Sequence, residues 1–217
     1  MAESSRSSRS APRDAFAALA AAVFWFALTL QAWLTLELTR SNGAGAGRAL
    51  WILLAYFTIL SNLLAAIALS VPLLVPRSAP GRFFARPGPI TAITVYMLLV
   101  GIAYNLLLRS VWNPQGWQLL ADTLLHCVNP LLFLAYWWIA GRSHAVSYSA
   151  LRAWALYPLA YLSYAVGRGL SGDFYAYPFI DLGQLGFARA GLNAVVVALG
   201  FCAIAASLIA LGRRSSP

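Results

Sequence analysis

The sequence predicts an all-α integral membrane protein, a single bundle of six transmembrane helices with both termini in the cytoplasm. Hydrophobic residues make up 61% of the 217 residues and charged residues only 10%, whereas an ordinary soluble domain carries about 25% charged residues. Six apolar runs each provide the ~20 residues that a membrane-spanning helix needs. So little charge cannot cover a water-facing globule, which argues against a soluble enzyme and against a nucleic-acid-binding protein.

The N-terminal residues 1–14 are rich in serine and charge, and they are predicted to form a disordered tail. The first apolar run, 15–36, is longer than the ~7–15 residues of a signal-peptide core and keeps Trp25, Phe26 and Trp33 along its length. These features favour a spanning helix over a cleaved signal. The transmembrane bundle is predicted over residues 15–212, followed by a short C-terminal tail over 213–217.

Five more apolar runs follow, separated by short loops, and each can span the bilayer with some tilt. They are 50–75, 89–111, 117–140, 150–170 and 187–211. The sequence shows no convincing internal repeat and no second domain. Both cysteines, Cys127 and Cys202, lie inside these runs, so they predict neither a disulfide framework nor a zinc site.

The fifteen arginines, in a chain without lysine, predict the orientation. With the N-terminus inside, the cytoplasmic segments hold Arg6, Arg9, Arg13, Arg77, Arg82, Arg86, Arg142, Arg152, Arg213 and Arg214. The outer segments hold Arg40, Arg48, Arg109, Arg168 and Arg189. Because basic residues concentrate on the cytoplasmic side, this asymmetry favours both termini inside. The net charge of +9 is thus explained by topology signals and phospholipid contacts.

This orientation places the strongly polar residues of five runs in one layer, between the outer surface and the bilayer midplane. The residues are Gln31, Glu37, Asn62, Asn105, Asp122, His126, Asn129 and Asn193. Polar groups that face lipid cost several kcal/mol, so we expect these side chains to face the bundle interior. The sequence therefore predicts a polar cavity that opens towards the outer leaflet.

Helical spacing brings two polar stripes to the same depth. The second run carries, on one helical face, Thr58, Ser61, Asn62 and Ala65. The fourth run carries a similar stripe of Asp122, His126, Asn129 and Pro130. At 1.5 Å per residue, Thr58 and His126 each lie roughly 12–14 Å below the outer end of their helix. Because Pro130 has no amide hydrogen, the carbonyl of His126 is left as a free acceptor.

His126 is the ionisable residue at membrane depth, where such a side chain is a functional hypothesis by default. The alternative is a neutral imidazole that bonds two helices together. Metal binding is not expected, because the runs contain no second histidine, no cysteine pair and no carboxylate cluster at ligand spacing. His144 lies in a predicted cytoplasmic loop and needs no role beyond solvation. We therefore expect no metal and no cofactor.

Thr58 at matched depth is a candidate nucleophile, because a hydroxyl paired with an imidazole can be activated for attack. Alternatively, Thr58 bonds back to the carbonyl of Leu54, as threonine commonly does in membrane helices. Asp122, one turn before His126, can orient the imidazole as a third member or lie solvated near the interface. Cys127 is a poor partner for His126, because adjacent helical residues face different directions. The serine signatures of rhomboid proteases and α/β-hydrolases are absent.

A nucleophile also needs donors for the oxyanion that it creates. Because the amides of a continuous helix are already paired, the candidate donors are the side chains of Asn62, Asn129 and Tyr164. Arg168 and Arg109, near the predicted outer edge, are candidates to hold a substrate carboxylate.

Three segments resemble a known group of proteins: residues 56–62 (YFTILSN), Leu124, Leu125 and His126 with Pro130, and residues 177–181 (YPFID). They resemble bacterial six-pass membrane proteins that look like distant relatives of the eukaryotic androgen-induced-gene-one family. That family comprises transmembrane threonine hydrolases that cleave fatty acid esters of hydroxy fatty acids. The resemblance places the nucleophilic threonine on Thr58 and the essential histidine on His126, and it implies a bacterial inner membrane location.

The expected function is therefore that of a membrane lipid esterase, with lipid as substrate, the membrane as its surroundings, no nucleic-acid partner and no cofactor. The alternative is a non-enzymatic protein that binds lipid or transports a small solute through the same cavity. A transporter would be expected to show repeat symmetry or pairs of broken helices, and neither is clear in the sequence.

Overall fold

The computed structural model describes residues 2–142 and 146–214, with side chains from Ala11 onward. This part of the chain consists of helices and connecting turns, without strands. The α-helices are α1 (Ala2–Ser41), α2 (Ala46–Leu53), α3 (Phe57–Leu74), α4 (Ala79–Phe84), α5 (Pro87–Ala103), α6 (Gly116–Thr123), α7 (Asn129–Tyr136), α8 (Ala150–Leu170) and α9 (Leu182–Arg213). Three π-helical turns, Tyr104–Leu108, Leu124–Val128 and Trp137–Gly141, continue α5, α6 and α7. His144 lies outside the described residues.

Five helical segments are long and apolar enough to cross a membrane. They are Ala11–Ser41, Phe57–Leu74, Pro87–Leu108, Gly116–Gly141 and Leu182–Arg213. The all-α, membrane-type architecture is thus the one that the sequence predicts. α8 coincides with the predicted run 150–170, but it is not among these five.

The first helix is longer than the predicted run 15–36. It extends at both ends and includes residues 11–14, which the sequence assigns to a tail. The division of the chain into a bundle with separate tails over 1–14 and 213–217 stays a prediction. α1 packs along α3, and its Ala17, Ala20 and Ala27 recur at helical spacing and are almost fully buried. Small residues at such positions let two helix backbones approach closely, as is usual in membrane bundles.

The predicted run 50–75 is not one helix, which corrects the sequence interpretation. α2 ends at Leu53, and α3 begins only at Phe57, with Tyr56 in an extended conformation (φ −99°, ψ 126°). The interruption is stabilised by tertiary contacts, since Tyr161 of α8 donates a hydrogen bond of 2.8 Å to the carbonyl of Ala55. As a result, Thr58 is the second residue of a new helix.

The last helix bends at its start. Gly186 has a left-handed backbone conformation (φ 68°) inside α9, which glycine adopts without a steric penalty. The straight part of α9 therefore begins at Phe187, where the sequence places the start of the sixth run. Before it, Asp181 caps α9 by accepting hydrogen bonds from the amides of Gly183 and Gln184.

Candidate functional site

Thr58 and His126 meet inside the bundle. The Oγ1 atom of Thr58, on α3, lies 3.3 Å from the Nε2 atom of His126, in the π-helical turn Leu124–Val128. Thr58 is buried and the imidazole is nearly so. The predicted proximity of the two side chains is therefore found, at hydrogen-bond distance.

The hydrogen bonds of His126 assign its tautomer. Its Nδ1 atom lies 2.9 Å from the backbone carbonyl oxygen of Asp122 and 3.3 Å from the Oδ1 atom of the same residue. Because a carbonyl oxygen can only accept, Nδ1 carries the hydrogen. The lone pair of Nε2 is then directed at Thr58, which is the arrangement that a general base for this hydroxyl requires. Asp122 is thus placed where it can orient the imidazole.

Tyr104 is a site residue that sequence reasoning missed. Its ring stacks on the imidazole of His126, with centroids 4.0 Å apart and planes 17° apart. Its hydroxyl donates a short hydrogen bond to the Oδ2 atom of Asp122. Tyr104 and His126 both lie in π-helical turns. Such turns shift the register of a helix and often occur at functional sites. A regular helical pattern cannot indicate such a shift in register, so no sequence signal places Tyr104 beside His126.

The break before α3 places the first-turn amides of this helix next to the Thr58 side chain. The first-turn amides of a helix have no partner within it, and the helix dipole makes this end partly positive. The amide of Thr58 donates to the hydroxyl of Tyr177 at 3.3 Å, and the same hydroxyl lies 3.4 Å from Thr58 Oγ1. The amide of Thr58 is thus paired with a side chain from outside α3, and not within its own helix as expected. Tyr177 lies in the YPFID segment, which was noted in the sequence without a role.

Asn62 and Asn129 connect the two helical segments that carry Thr58 and His126. The Nδ2 atom of Asn62 donates to the carbonyls of Thr58 (2.9 Å) and Leu125 (3.3 Å), and Asn129 donates to Asn62 Oδ1 at 2.7 Å. Both donor hydrogens of Asn62 are thereby used, and both side chains are fully buried. These asparagines hold α3 against the turn that carries His126, which is a different role from the predicted oxyanion donation.

Arg168 and Tyr164 are committed to other partners. Arg168 forms an ion pair with Asp173, and its Nη1 atom donates to the carbonyl of Trp51 (2.9 Å) and to the hydroxyl of Tyr164 (3.1 Å). The carboxylate that Arg168 binds thus belongs to the protein and not to a substrate. Tyr164 is more than one-third exposed, and its hydroxyl bonds to Arg168. The predicted roles of both residues towards a substrate are not supported.

Arg109 is bonded to Asn105 and not to Thr58 or His126. It is exposed, and its Nη1 atom donates to Asn105 Oδ1 at 2.8 Å, one helical turn earlier. This contact keeps the guanidinium on the outer surface of α5 and its π-helical continuation. A role in holding a substrate carboxylate gains no support from this position.

The ion pair of Asp173 fastens the segment 171–181 to the end of α2. Arg48 approaches the Asp173 carboxylate to 3.3 Å, and Trp51 Nε1 donates to it at 2.7 Å. The pKa of Asp173 is lowered to about 2, and the hydrogen bond from Arg168 is the largest cause. Asp173 therefore stays charged at physiological pH. We call these residues (Arg48, Trp51, Arg168 and Asp173) the clasp, which holds the segment that brings Tyr177 to Thr58.

The predicted convergence of eight polar residues on one cavity is wrong. Of the eight, Asn105 and His126 line a common cavity, and the other six are bonded elsewhere. Gln31 bonds Gln118 between α1 and α6 at 2.9 Å, and Glu37 pairs with Arg40 on the surface. Asn193 donates to the carbonyl of Phe179. These partners satisfy the polar groups without a shared cavity.

The cavity next to Thr58 is apolar rather than polar. Its volume is about 240 Å³, and it lies between α3, α5, α8 and α9. Hydrocarbon side chains and aromatic rings form most of its wall, and its polar groups are hydroxyls and one thiol. The residues that carry them are Thr58, Tyr104, Tyr161, Tyr177 and Cys202. No charged side chain is among the described residues that line it.

His126 faces a second, more open cavity on the other side of the pair. This cavity has a volume of about 380 Å³ and is lined by residues of α5, α7 and the π-helical turns, including Asn105, Cys127 and Pro130. The backbone of α5 and the turn that carries His126 approach closely here. A Cβ atom built at Gly101 would lie only 3.1 Å from the carbonyl oxygen of His126. That carbonyl is the acceptor that Pro130 was predicted to leave free.

The described residues contain no group of three or more histidine, cysteine, aspartate or glutamate side chains that could hold a metal ion. Comparison of the chain with models of protein families, with curated proteins and with solved structures finds no match. The site must therefore be understood from its own geometry.

Proposed function

We propose that this protein is an integral membrane lipid esterase in which Thr58 is the nucleophile and His126 is the general base. One observation carries the proposal: the Thr58 hydroxyl lies 3.3 Å from Nε2 of an imidazole whose Nδ1 is tied to Asp122. This pair lies beside an apolar cavity of about 240 Å³. The same two residues are those that the resemblance to transmembrane threonine hydrolases implies.

In the proposed reaction, Thr58 Oγ1 attacks the carbonyl carbon of an ester while its proton passes to Nε2 of His126. The tetrahedral intermediate collapses when the bond to the alcohol oxygen breaks, and His126 returns the proton to that oxygen. Water then attacks the acyl-threonine, giving its proton to Nε2. Collapse of the second intermediate releases the acid, and the proton returns to Thr58. The reaction consumes one water molecule and needs no cofactor.

The oxyanion of each intermediate has one candidate donor that the sequence did not indicate, the hydroxyl of Tyr177. This hydroxyl accepts from the Thr58 amide at 3.3 Å and lies 3.4 Å from the attacking oxygen, so its own hydrogen is available for the oxyanion. Donors fixed in advance where charge develops stabilise the transition state, most strongly in a site without water. The positive end of α3 acts in the same direction.

We further propose that α8 is a sixth crossing and that both termini are cytoplasmic, in a bacterial inner membrane. α8 has 21 residues, which at 1.5 Å each is about the hydrocarbon thickness of a bilayer. In this orientation, the clasp and the 171–181 segment lie on the outer side.

The orientation predicts which loops an impermeant thiol reagent reaches in intact cells. With both native cysteines replaced by serine, a Ser171→Cys variant should be modified, because Ser171 is exposed in the segment after α8. A Ser147→Cys variant, equally exposed but before α8, is the matched control and should react only after lysis. The reversed pattern would overturn the orientation.

The direct test of the esterase is covalent trapping. A fluorophosphonate mimics an ester and stays bound to an activated hydroxyl, so we expect the purified protein to be labelled at Thr58, with the site mapped by mass spectrometry. The same preparation should hydrolyse acyl esters of p-nitrophenol. Labelling at another residue would refute the threonine mechanism. A preparation that neither labels nor hydrolyses esters but still binds lipid would support the rival lipid-binding protein.

A further inference from the structure

The apolar cavity is elongated along the helices. Its wall on α9 extends from Ala194 to Cys202, which is about 12 Å at 1.5 Å per residue. Thr58 lies towards the end nearest the 171–181 segment, because Tyr177 of that segment contacts it. A chain attached to Thr58 therefore has to extend away from that segment and into the bundle.

The end of the cavity towards the 171–181 segment is covered. Tyr177 and Ile180 are buried, and both line the cavity. The ring of Tyr177 packs on Phe179 with centroids 5.1 Å apart. The clasp fixes this cover in place through the ion pair between Arg168 and Asp173. Access from the aqueous side would thus require the clasp to open.

The cavity is open at its side instead. Three residues of its wall are exposed: Leu159 on α8, and Ala198 and Cys202 on α9. α8 and α9 pack loosely on one another, and the opening lies between them. Because it lies halfway along both helices, this opening faces the hydrocarbon of the bilayer. The opposite wall is closed by the buried residues Leu99 and Val100 of α5.

We propose that the acyl chain of the substrate enters sideways from the bilayer, between α8 and α9, and lies in this cavity with its ester at Thr58. This inference rests on the proposed function. The chain must be uncharged, because no described residue of the wall carries a charge and a charge would remain unpaired there. Arg168 cannot pair with a charged group on the chain, since its guanidinium already forms an ion pair with Asp173.

The inner end of the cavity limits the chain length. Phe201, which is buried, forms part of the wall and packs parallel to Tyr96, with ring planes 13° apart. Tyr96 is itself held by a hydrogen bond of 2.8 Å to the carbonyl of Trp154. We therefore expect medium-length acyl groups to fit and long ones to extend back out of the side opening.

Photocrosslinking tests the binding site without relying on hydrolysis. An octanol with a terminal diazirine is irradiated with the purified protein, and the adducts are mapped by mass spectrometry. We expect adducts on Leu99 and Val100, which lipid cannot reach from the surface because they are buried. Adducts confined to exposed surface residues such as Leu199 would overturn the proposal. So would adducts on Leu98 and Leu131, which line the second cavity.

A pair of variants tests the route. Ala198→Trp fills the opening, whereas Val195→Trp adds the same bulk at an exposed position of α9 outside the cavity wall. We expect Ala198→Trp to lose buried adducts and to hydrolyse p-nitrophenyl octanoate at least roughly tenfold more slowly, with acetate hydrolysis retained. Val195→Trp should behave as wild type, and melting temperatures verify folding.

The outcomes separate the two proposals. Buried adducts in a protein that hydrolyses no ester would refute the esterase and leave the acyl site standing. Hydrolysis without buried adducts would refute the acyl site alone. Equal slowing of acetate and octanoate in Ala198→Trp, with folding intact, would also count against entry between α8 and α9.

Discussion

Replacing Thr58 with valine should reduce ester hydrolysis about a thousandfold or more and abolish fluorophosphonate labelling. Valine keeps the shape of threonine but removes the attacking oxygen, so the packing of the buried position changes little. The hydroxyl that valine lacks contacts His126 and Tyr177, and no other partner among those described. The measurement is turnover of a p-nitrophenyl ester by the purified variant, with its melting temperature taken beside that of the wild type.

Two variants control this experiment. Thr58→Ser restores a hydroxyl at the same place and should recover most of the turnover and the labelling. Ser61→Ala removes a neighbouring hydroxyl of α3 that bonds to Tyr157 at 3.2 Å, and its turnover should stay near that of the wild type. A folded Thr58→Val variant that hydrolyses esters at the wild-type rate would exclude Thr58 as the nucleophile.

The faces that carry Thr58 and His126 could be predicted from the sequence because they depend on helical periodicity, which places Thr58, Ser61 and Asn62 on one face. All three are buried on α3 as the pattern predicts. The same reasoning on the fourth run placed Asp122 and His126 one turn apart on one face, where they contact each other. The predicted depth of Thr58 assumed one continuous helix over the run 50–75, and the break between α2 and α3 contradicts that assumption.

The surroundings of the pair could not be predicted, because they depend on departures from regular helices. The break before Phe57 is held by Tyr161, more than 100 residues away along the chain. Tyr104 reaches His126 from a π-helical turn, and Tyr177 reaches Thr58 from a non-helical segment. Neither periodicity nor depth can place such residues, although both lie at the candidate site.

The polar cavity was wrongly predicted for a different reason. Depth shows that polar side chains lie in one layer, but it does not show whether they bond locally. Gln31 and Gln118 satisfy each other, and Arg168 finds Asp173 five residues later. None of these four residues lines the space beside Thr58, whose wall is mostly hydrocarbon and aromatic.

Replacing His126 with alanine should lower ester turnover about a hundred- to ten-thousandfold, the usual contribution of a general base. Without Nε2, the group that remains within hydrogen-bond distance of Thr58 Oγ1 is the hydroxyl of Tyr177, and a phenol oxygen is a far weaker base than a neutral imidazole. Fluorophosphonate labelling of Thr58 should slow in parallel. Combining His126→Ala with Thr58→Val should be scarcely worse than either change alone, because residues that act as one unit give non-additive losses.

The open second cavity allows a readout that a structural histidine would not give. His126 lines this cavity, so its removal leaves a space that free imidazole can enter, and added imidazole should restore part of the turnover of His126→Ala. It should restore nothing in Thr58→Val, which lacks the nucleophile. Asn105→Ala, a change at another polar residue of the same cavity, should leave turnover unchanged. A His126→Ala variant that melts earlier but keeps full turnover would show that His126 only bonds helices together.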